Sequence, residues 1–142
     1  MKKKGLHKDR DFLYEVFGAA LVHNKPDVDR IIGYVASKGG SVRTVDNDEM
    51  YYNPGSHGEP GEIVIDENSS LGAWNHEFRH FLDDEADGFP GLIIIADVDK
   101  YWEREYNAYM EEYNLAKETG RYDILHDIEL QMEERKREIY GE

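Results

Sequence analysis

One segment in the middle of the chain carries both a start signal and a stop signal for a helix, and it constrains the fold more than any other segment. Residues 71–87 follow Ser69 and Ser70, either of which is a favoured N-cap, and they stop before Gly88, with Pro90 just beyond. Between these signals, apolar residues recur at helical spacing, which predicts an amphipathic helix. The face that this spacing assigns to the core carries Leu71, Trp74, Phe78, Phe81 and Leu82. One side of the helix therefore builds core, and the opposite side faces away from it.

Two histidines lie on that opposite side, in the motif H-E-x-x-H at residues 76–80. His76 and His80 are four residues apart, so their imidazoles lie one above the other and both can reach one metal ion at about 2.0–2.1 Å. Glu77 flanks the metal from its position, where its carboxylate can take a proton from a water that the metal acidifies. The motif predicts a metal site with Glu77 as general base. The alternative is that this acidic face of the helix is merely solvated.

A catalytic zinc site needs a third protein ligand, so the two histidines require a partner elsewhere in the chain. The helix predicted over residues 98–118 has an apolar and aromatic face with Glu105 in its middle. Burying an unpaired carboxylate there is costly, and a metal ion opposite it removes that cost. We therefore predict Glu105 as the third ligand, with Glu112 on the same face as the second candidate. The alternative for Glu105 is an ion pair with an arginine such as Arg79 or Arg121.

Apolar periodicity and the glycine and proline breakers predict the other elements. The further helices are expected at residues 11–24, from Pro26 to the Gly39-Gly40 pair, and at residues 122–140. Short strands are expected at residues 41–45, 50–53 and 62–66. The breaker-rich residues 54–61 form a loop. The aliphatic run at residues 92–95 is either a short buried strand or the first turn of the next helix.

Composition favours one domain and excludes several classes of protein. The 142 residues are 39% hydrophobic, so residues 1–142 are predicted as one domain, with residues 1–8 as a flexible basic tail. The absence of cysteine excludes a disulfide framework and an iron–sulfur cluster. The formal net charge of −14 disfavours binding to nucleic acid and anionic lipid. Because no apolar run approaches the roughly 20 residues of a membrane span, we expect a cytoplasmic protein with no membrane partner.

These residues resemble the zincin metallopeptidases, and among them the gluzincins, whose third ligand is a glutamate on a following helix. His76 and His80 match the histidine ligands, and Glu77 matches the catalytic base. Glu105, in the sequence E-Y-N-A, matches the glutamate ligand. The motif and the residues after it are similar to short zincin-like domains of phages, prophages and bacterial toxins. The resemblance covers residues 62–118, and it departs from the metzincins because no third histidine follows the motif at their spacing.

The resemblance implies an α+β, zincin-like fold and a peptidase activity. With the elements that periodicity predicts outside residues 62–118, the fold would have a small three-stranded sheet, an active-site helix, two N-terminal helices and two C-terminal helices. In zincins an edge strand before the active-site helix pairs with an extended substrate, and Ile63, Val64 and Ile65 take that position here. The implied cofactor is one zinc ion per chain, although two imidazoles and a carboxylate also suit iron, cobalt or nickel. The implied reaction is hydrolysis of a peptide or protein substrate by a metal-activated water.

Polar side chains near the motif are candidates for supporting roles. Asp83 and Asp84, three and four residues after His80, are candidates to orient an imidazole by accepting its N–H, although solvated aspartates need no role. Tyr106 and Tyr109 are candidates to donate a hydrogen bond to the oxygen that becomes negative during hydrolysis. Core packing is the alternative role for both tyrosines.

Two other hypotheses fit the same sequence. An acidic, helix-rich chain is compatible with a non-enzymatic interaction or inhibitor protein that mimics nucleic acid or binds a basic partner. The second hypothesis is a zincin fold that binds zinc only as a structural ion. Removing zinc with a chelator would then lower the stability of the protein, which would have no hydrolytic activity. The enzyme hypothesis instead predicts bound zinc and loss of activity in Glu77→Gln with the metal retained.

Overall fold

The computed structural model describes residues 10–142, and these residues form the predicted α+β arrangement. The elements before the sheet are α1 (Tyr14–Phe17), α2 (Ala20–His23) and α3 (Lys25–Ser37). The strands are β1 (Ser41–Val45), β2 (Met50–Asn53) and β3 (Glu62–Asp66). The remaining elements are α4 (Leu71–Ala86), a 3₁₀ helix (Gly91–Ala96), α5 (Val98–Glu118) and α6 (Tyr122–Tyr140). The predicted bounds of the strands, α5 and α6 are confirmed, and the predicted basic tail lies outside the described residues.

The helix predicted at residues 11–24 is two short helices, so this prediction is wrong. Gly18 follows α1 with a φ of +67°, in the left-handed region, and Ala19 is extended. A Cβ on Gly18 would lie 2.9 Å from Cδ2 of His23, so a side chain there would need the histidine ring to move. The apolar spacing is helical on both sides of this break, which is why periodicity alone did not reveal it.

The sheet has the strand order β1-β3-β2, with β1 parallel and β2 antiparallel to β3. The prediction that Ile63, Val64 and Ile65 form an edge strand is therefore wrong, because β3 is paired on both sides. All three side chains are fully buried. A run of consecutive apolar residues is typical of a strand covered on both faces, and this run has that character. The edge strands are β1 and β2, and β2 is the one that packs against α4, the helix that carries the motif.

The main core lies between α3, the sheet and one side of α4. Trp74 and Phe81, from the predicted core face of α4, are fully buried against residues of α3 and β3 such as Ile31 and Ile63. A smaller core joins the N-terminal segment to the ends of α5 and α6 around Leu13, Phe12, Ala116, Ile124 and Ile128. Because α5 packs along the other side of α4, the face that carries the motif histidines is buried as well.

The aliphatic run that the sequence left open lies in the 3₁₀ helix just before α5. Leu92 and Ile93 in this helix are exposed, so the run is not a buried strand. Asp97 then caps α5 by accepting a hydrogen bond from the N–H of Lys100. Among the described residues, none of the helices combines the length and the apolar character that crossing a membrane requires.

Candidate metal centre

The first turn of α4 fixes the position of the motif. Ser70 caps the helix by accepting a hydrogen bond from the N–H of Ala73. Asp11 in turn accepts hydrogen bonds from the Ser70 N–H, at 2.7 Å, and from the Ser70 hydroxyl. One helical turn separates His76 from His80, and their ring centroids lie 5.1 Å apart. The helix therefore presents the two imidazoles side by side, as their spacing predicts.

Glu105 on α5 lies opposite these two histidines. Its Oε2 is 2.9 Å from Nε2 of His80, and both side chains are largely buried. The ligand atoms of His76, His80 and Glu105 all lie within 4.8 Å of one another. Zinc bonds of about 2.0–2.1 Å in a tetrahedral arrangement place ligand atoms roughly 3.4 Å apart, so a small contraction of the group would complete three corners of a site. The structure thus brings together the three residues that the sequence singles out as ligands.

Glu112, the second candidate for the third ligand, occupies a different position. Its Oε2 lies 2.7 Å from Nδ1 of His76, and both side chains are buried. Since a carboxylate only accepts, Nδ1 is the donor of this hydrogen bond. The bond orients the ring of His76 so that Nε2 lies on the far side from Glu112. This is the usual arrangement of a metal-binding histidine and the carboxylate behind it.

The second carboxylate oxygen of Glu105 binds an arginine from the last helix. Arg135 on α6 donates from Nε to Oε1 of Glu105 at 2.9 Å, and from Nη2 to the hydroxyl of Tyr101. The alternative that an arginine pairs with Glu105 is therefore correct, but Arg79 and Arg121 are the wrong candidates. Those two bind other carboxylates, Arg79 on the α4 and α5 surface and Arg121 near the start of α6.

The charges around Glu105 favour its ionised form. Burial by itself raises the pKa of Glu105. The hydrogen bond from His80, together with the electrostatic interactions with His80, His76 and Arg135, outweighs burial, so the pKa of Glu105 lies well below its usual value. An ionised carboxylate is the form that binds a cation. We refer to His76, His80, Glu105, Glu112 and Arg135 as the ligand cluster.

The two aspartates predicted to orient an imidazole bind other partners. Asp84 is completely buried, and it accepts hydrogen bonds from the Tyr52 hydroxyl at 2.6 Å and from Arg104 Nη1 at 3.1 Å. Arg104 also donates to Asp87 at 2.8 Å. Asp83 accepts from Arg79 and from Asn107. The partners of Asp84 are therefore Tyr52 on β2 and Arg104 on α5. We refer to Asp84, Arg104, Tyr52 and Asp87 as the Asp84 cluster.

The predicted oxyanion donors do not face the site in the expected way. Tyr106 is exposed and packs its ring against Trp102. Tyr109 is fully buried, with its ring edge against His76 at a centroid distance of 4.9 Å. Neither tyrosine is among the residues that line the cleft described next, whereas Tyr101 is. Tyr101 is one turn before Glu105 on α5, and that spacing is the sequence signal that could have identified it.

A cleft of about 210 Å³ opens beside the ligand cluster. His76, Glu77 and His80 from α4 form one side of it, and Glu105 with Arg135 forms another. The strand that borders the cleft is β2, and the 3₁₀ helix contributes Ile94. The remaining lining residues are Met50, Tyr51, Tyr52, Pro54, Tyr101 and Arg104. Metal-binding donors, an acidic side chain and a sheet edge therefore meet in one concave site.

Comparisons with known proteins leave the family of this chain open. No protein-family model matches the chain, and neither a curated protein nor a solved structure matches it. The resemblance to gluzincins therefore rests on the H-E-x-x-H motif and on Glu105.

Proposed function

We propose that the protein is a zinc-dependent metallopeptidase that hydrolyses peptide bonds and holds one zinc ion per chain. The observation that supports this most directly is the convergence of His76, His80 and Glu105, whose ligand atoms lie within 4.8 Å of one another. Glu77, the candidate base, lines the same cleft. Convergent ligands beside a carboxylate in a concave site are the parts that metal-assisted hydrolysis requires.

The donor set and its surroundings suit zinc. Two imidazole nitrogens and one carboxylate oxygen are the protein ligands of one class of catalytic zinc sites. Glu112 supports His76 through Nδ1, as carboxylates commonly do behind metal-binding histidines. When bound, zinc would polarise the carbonyl of the scissile bond and lower the pKa of a water molecule.

Glu77 carries the protons of the proposed reaction. It takes one proton from the attacking water as the water oxygen bonds to the carbonyl carbon. It then delivers that proton to the nitrogen of the leaving group as the C–N bond breaks. The carboxylate is ionised again at the end, so no other proton carrier is needed. Its place next to His76 in the helix keeps it beside the ligands throughout.

The outer edge of β2 is the proposed position of the substrate backbone. β2 pairs with β3 alone, so its other edge is unpaired in the sheet, and its residues Met50, Tyr51 and Tyr52 line the cleft. An extended peptide that adds to this edge gains main-chain hydrogen bonds. It also runs past the ligand cluster, which brings a peptide carbonyl to the histidines. We therefore assign to β2 the substrate pairing that the resemblance implies for residues 62–66.

Metal content tests the site first. The measurement is inductively coupled plasma mass spectrometry of protein purified without chelator. We expect one zinc ion per wild-type chain and loss of zinc in His80→Ala and in Glu105→Ala. Glu112→Ala, which removes a supporting carboxylate, should retain zinc at saturating concentration. Zinc lost in the His80 variant but retained in the Glu105 variant would refute Glu105 as the third ligand.

Activity of Glu77→Gln tests the reaction. We expect this variant to keep its zinc and to lose at least about 10²-fold of the cleavage rate on a random peptide library analysed by mass spectrometry. A matched control is Glu67→Gln, which changes an exposed glutamate at the end of β3, away from the cleft lining. Full activity in Glu77→Gln would refute the proposed mechanism, and an absence of zinc even after its addition would refute the metal site.

One observation favours a second candidate function, a non-enzymatic protein that binds a basic partner. Glu105 has two partners inside the protein, His80 and Arg135, so its charge is compensated without a metal ion. The net charge of −14 would then attract a basic protein. This candidate predicts no zinc in the preparation and binding to a basic partner that weakens as the salt concentration rises.

A further inference from the structure

An apolar groove adjoins the cleft at the end of β2. Residues 54–57 form one wall of the groove and residues 90–93 form the other, and its volume is about 670 Å³. Pro54 lines both the groove and the cleft, and Ile94, the residue after the groove wall, lines the cleft. The groove is therefore a continuation of the site along the direction in which β2 ends.

Hydrogen bonds and close packing fix the shape of this groove. The N–H of Gly58 donates to the carbonyl of Phe89 at 2.7 Å, and Nδ1 of His57 lies 3.3 Å from the carbonyl oxygen of Pro90. Phe89 has a φ of +55°, and its ring packs against Phe81 in the core. Gly91 has a φ of +79°, and a Cβ on it would lie 3.2 Å from His57 N. A groove held in this way needs little ordering before a ligand binds.

The groove wall exposes large apolar side chains. Leu92 is 61% exposed and Ile93 is 71% exposed, and the two are adjacent in the 3₁₀ helix. The eight residues that line the groove include no lysine, arginine, aspartate or glutamate. An acidic ligand group would therefore find no lysine or arginine here, while an apolar group would cover Leu92 and Ile93.

We infer that this groove binds an apolar side chain of the substrate, next to the bond that is cleaved. The inference rests on the proposed function, because a peptide bound along β2 would pass from the cleft into the groove at Pro54. The substrates would then be extended peptides that have a large aliphatic residue, and no acidic residue, beside the cleavage site. The main chain binds to β2 without sequence preference, and the groove adds the preference.

The test uses two synthetic peptide pools and a matched pair of variants. The pools are fluorescein-labelled random decapeptides that differ only at one central position, which is Leu in one pool and Asp in the other. Ile93→Asp changes the groove, and Val22→Asp is the control because Val22 on α2 has the same 71% exposure outside the cleft and the groove. Both changes are made in zinc-loaded Glu77→Gln, and binding is measured by fluorescence anisotropy.

We expect the Leu pool to bind at least about tenfold more tightly than the Asp pool, since covering one large aliphatic side chain is worth that factor or more. Ile93→Asp should weaken binding of the Leu pool by about the same factor, and Val22→Asp should leave that binding unchanged. Equal binding of the two pools, or unchanged binding of the Leu pool in Ile93→Asp, would overturn the inference.

Cleavage by the wild-type zinc protein separates this inference from the proposed function. Cleavage without preference for the Leu pool would leave the peptidase proposal in place and overturn the groove. A Leu preference in binding, with weaker binding of the Leu pool in Ile93→Asp and no cleavage of either pool, would support the groove and refute the peptidase. Failure to bind or cleave either pool would overturn both.

Discussion

The ligand cluster and the Asp84 cluster both lie between α4 and α5, and both contain buried charged side chains. In the Asp84 cluster the carboxylate is enclosed by protein donors, because Asp84 accepts from Tyr52 and from Arg104. In the ligand cluster the atoms that converge are two imidazole nitrogens and an oxygen of Glu105. Burial of charge is therefore common to a structural and a candidate functional group. Both groups contain internal ion pairs, and the ligand cluster differs because three of its atoms also lie close enough together to be candidate ligands for one ion.

The largest expected effect concerns the Asp84 cluster. Arg104→Met leaves the completely buried Asp84 without its cation, and breaking a buried pair in this way costs about 3–5 kcal/mol. Urea denaturation of the metal-free protein measures this loss in the free energy of unfolding. The double variant Asp84→Asn with Arg104→Met should lose less than Arg104→Met alone, because no uncompensated charge remains. A loss below about 1 kcal/mol, the value of a surface pair, would contradict a structural role.

Zinc should distinguish the two clusters directly. At a zinc concentration about 100-fold above its dissociation constant, binding to the folded protein raises the free energy of unfolding by about 2.7 kcal/mol. We expect this gain in the wild type and none in Glu105→Ala. Asp87→Asn, from the Asp84 cluster, should keep the full gain. The measurement is denaturation with and without zinc, and an equal gain in Glu105→Ala would remove Glu105 from the ligand set.

The sequence predicts the members of the ligand cluster that lie on α4 and α5, and it misses the one on α6. His76, Glu77 and His80 lie within one helix whose cap and stop are visible, so local spacing alone determines how they are presented. Glu105 follows from the conflict between a carboxylate and the apolar face around it. Arg135 has no such signal, because its contact with Glu105 depends on how α6 packs on α5.

Long-range pairing also explains the errors in the fold. The strand positions come from local composition, but the order β1-β3-β2 depends on which strands pair, and no local pattern specifies that. The resemblance predicts β3 as an edge strand, whereas the edge strands are β1 and β2. The role of Asp84 is missed for the same reason. Its sequence context is that of a solvated aspartate, and only the packing of α5 brings Arg104 beside it.

Glu112 allows a sharper test of the ligand cluster. Glu112→Gln weakens the support of His76, and loss of such a partner typically lowers metal affinity about 10–100-fold. Competition with a zinc chelator of known affinity measures this change. Glu111→Gln is the matched control, because Glu111 is partly exposed and binds Arg79 on the surface instead. Unchanged affinity in Glu112→Gln would show that the hydrogen bond to Nδ1 does not serve the metal site.

The smallest expected effect is at Asp87, the more exposed end of the Asp84 cluster. The hydrogen bond from Arg104 lowers the pKa of Asp87, burial opposes it, and the charge of Lys100 adds to the lowering. The ionised form therefore stabilises the fold above the unfolded pKa of about 3.9, and this contribution is lost as the pH falls through the lower folded pKa. Asp87→Asn should lower the free energy of unfolding by less than about 1 kcal/mol at pH 7, and by less still at pH 3. Urea denaturation of both proteins at the two pH values measures the difference. A loss in the free energy of unfolding that is larger at pH 3 than at pH 7 would mean that Asp87 acts through packing rather than charge. Asp87 would then not belong to the Asp84 cluster.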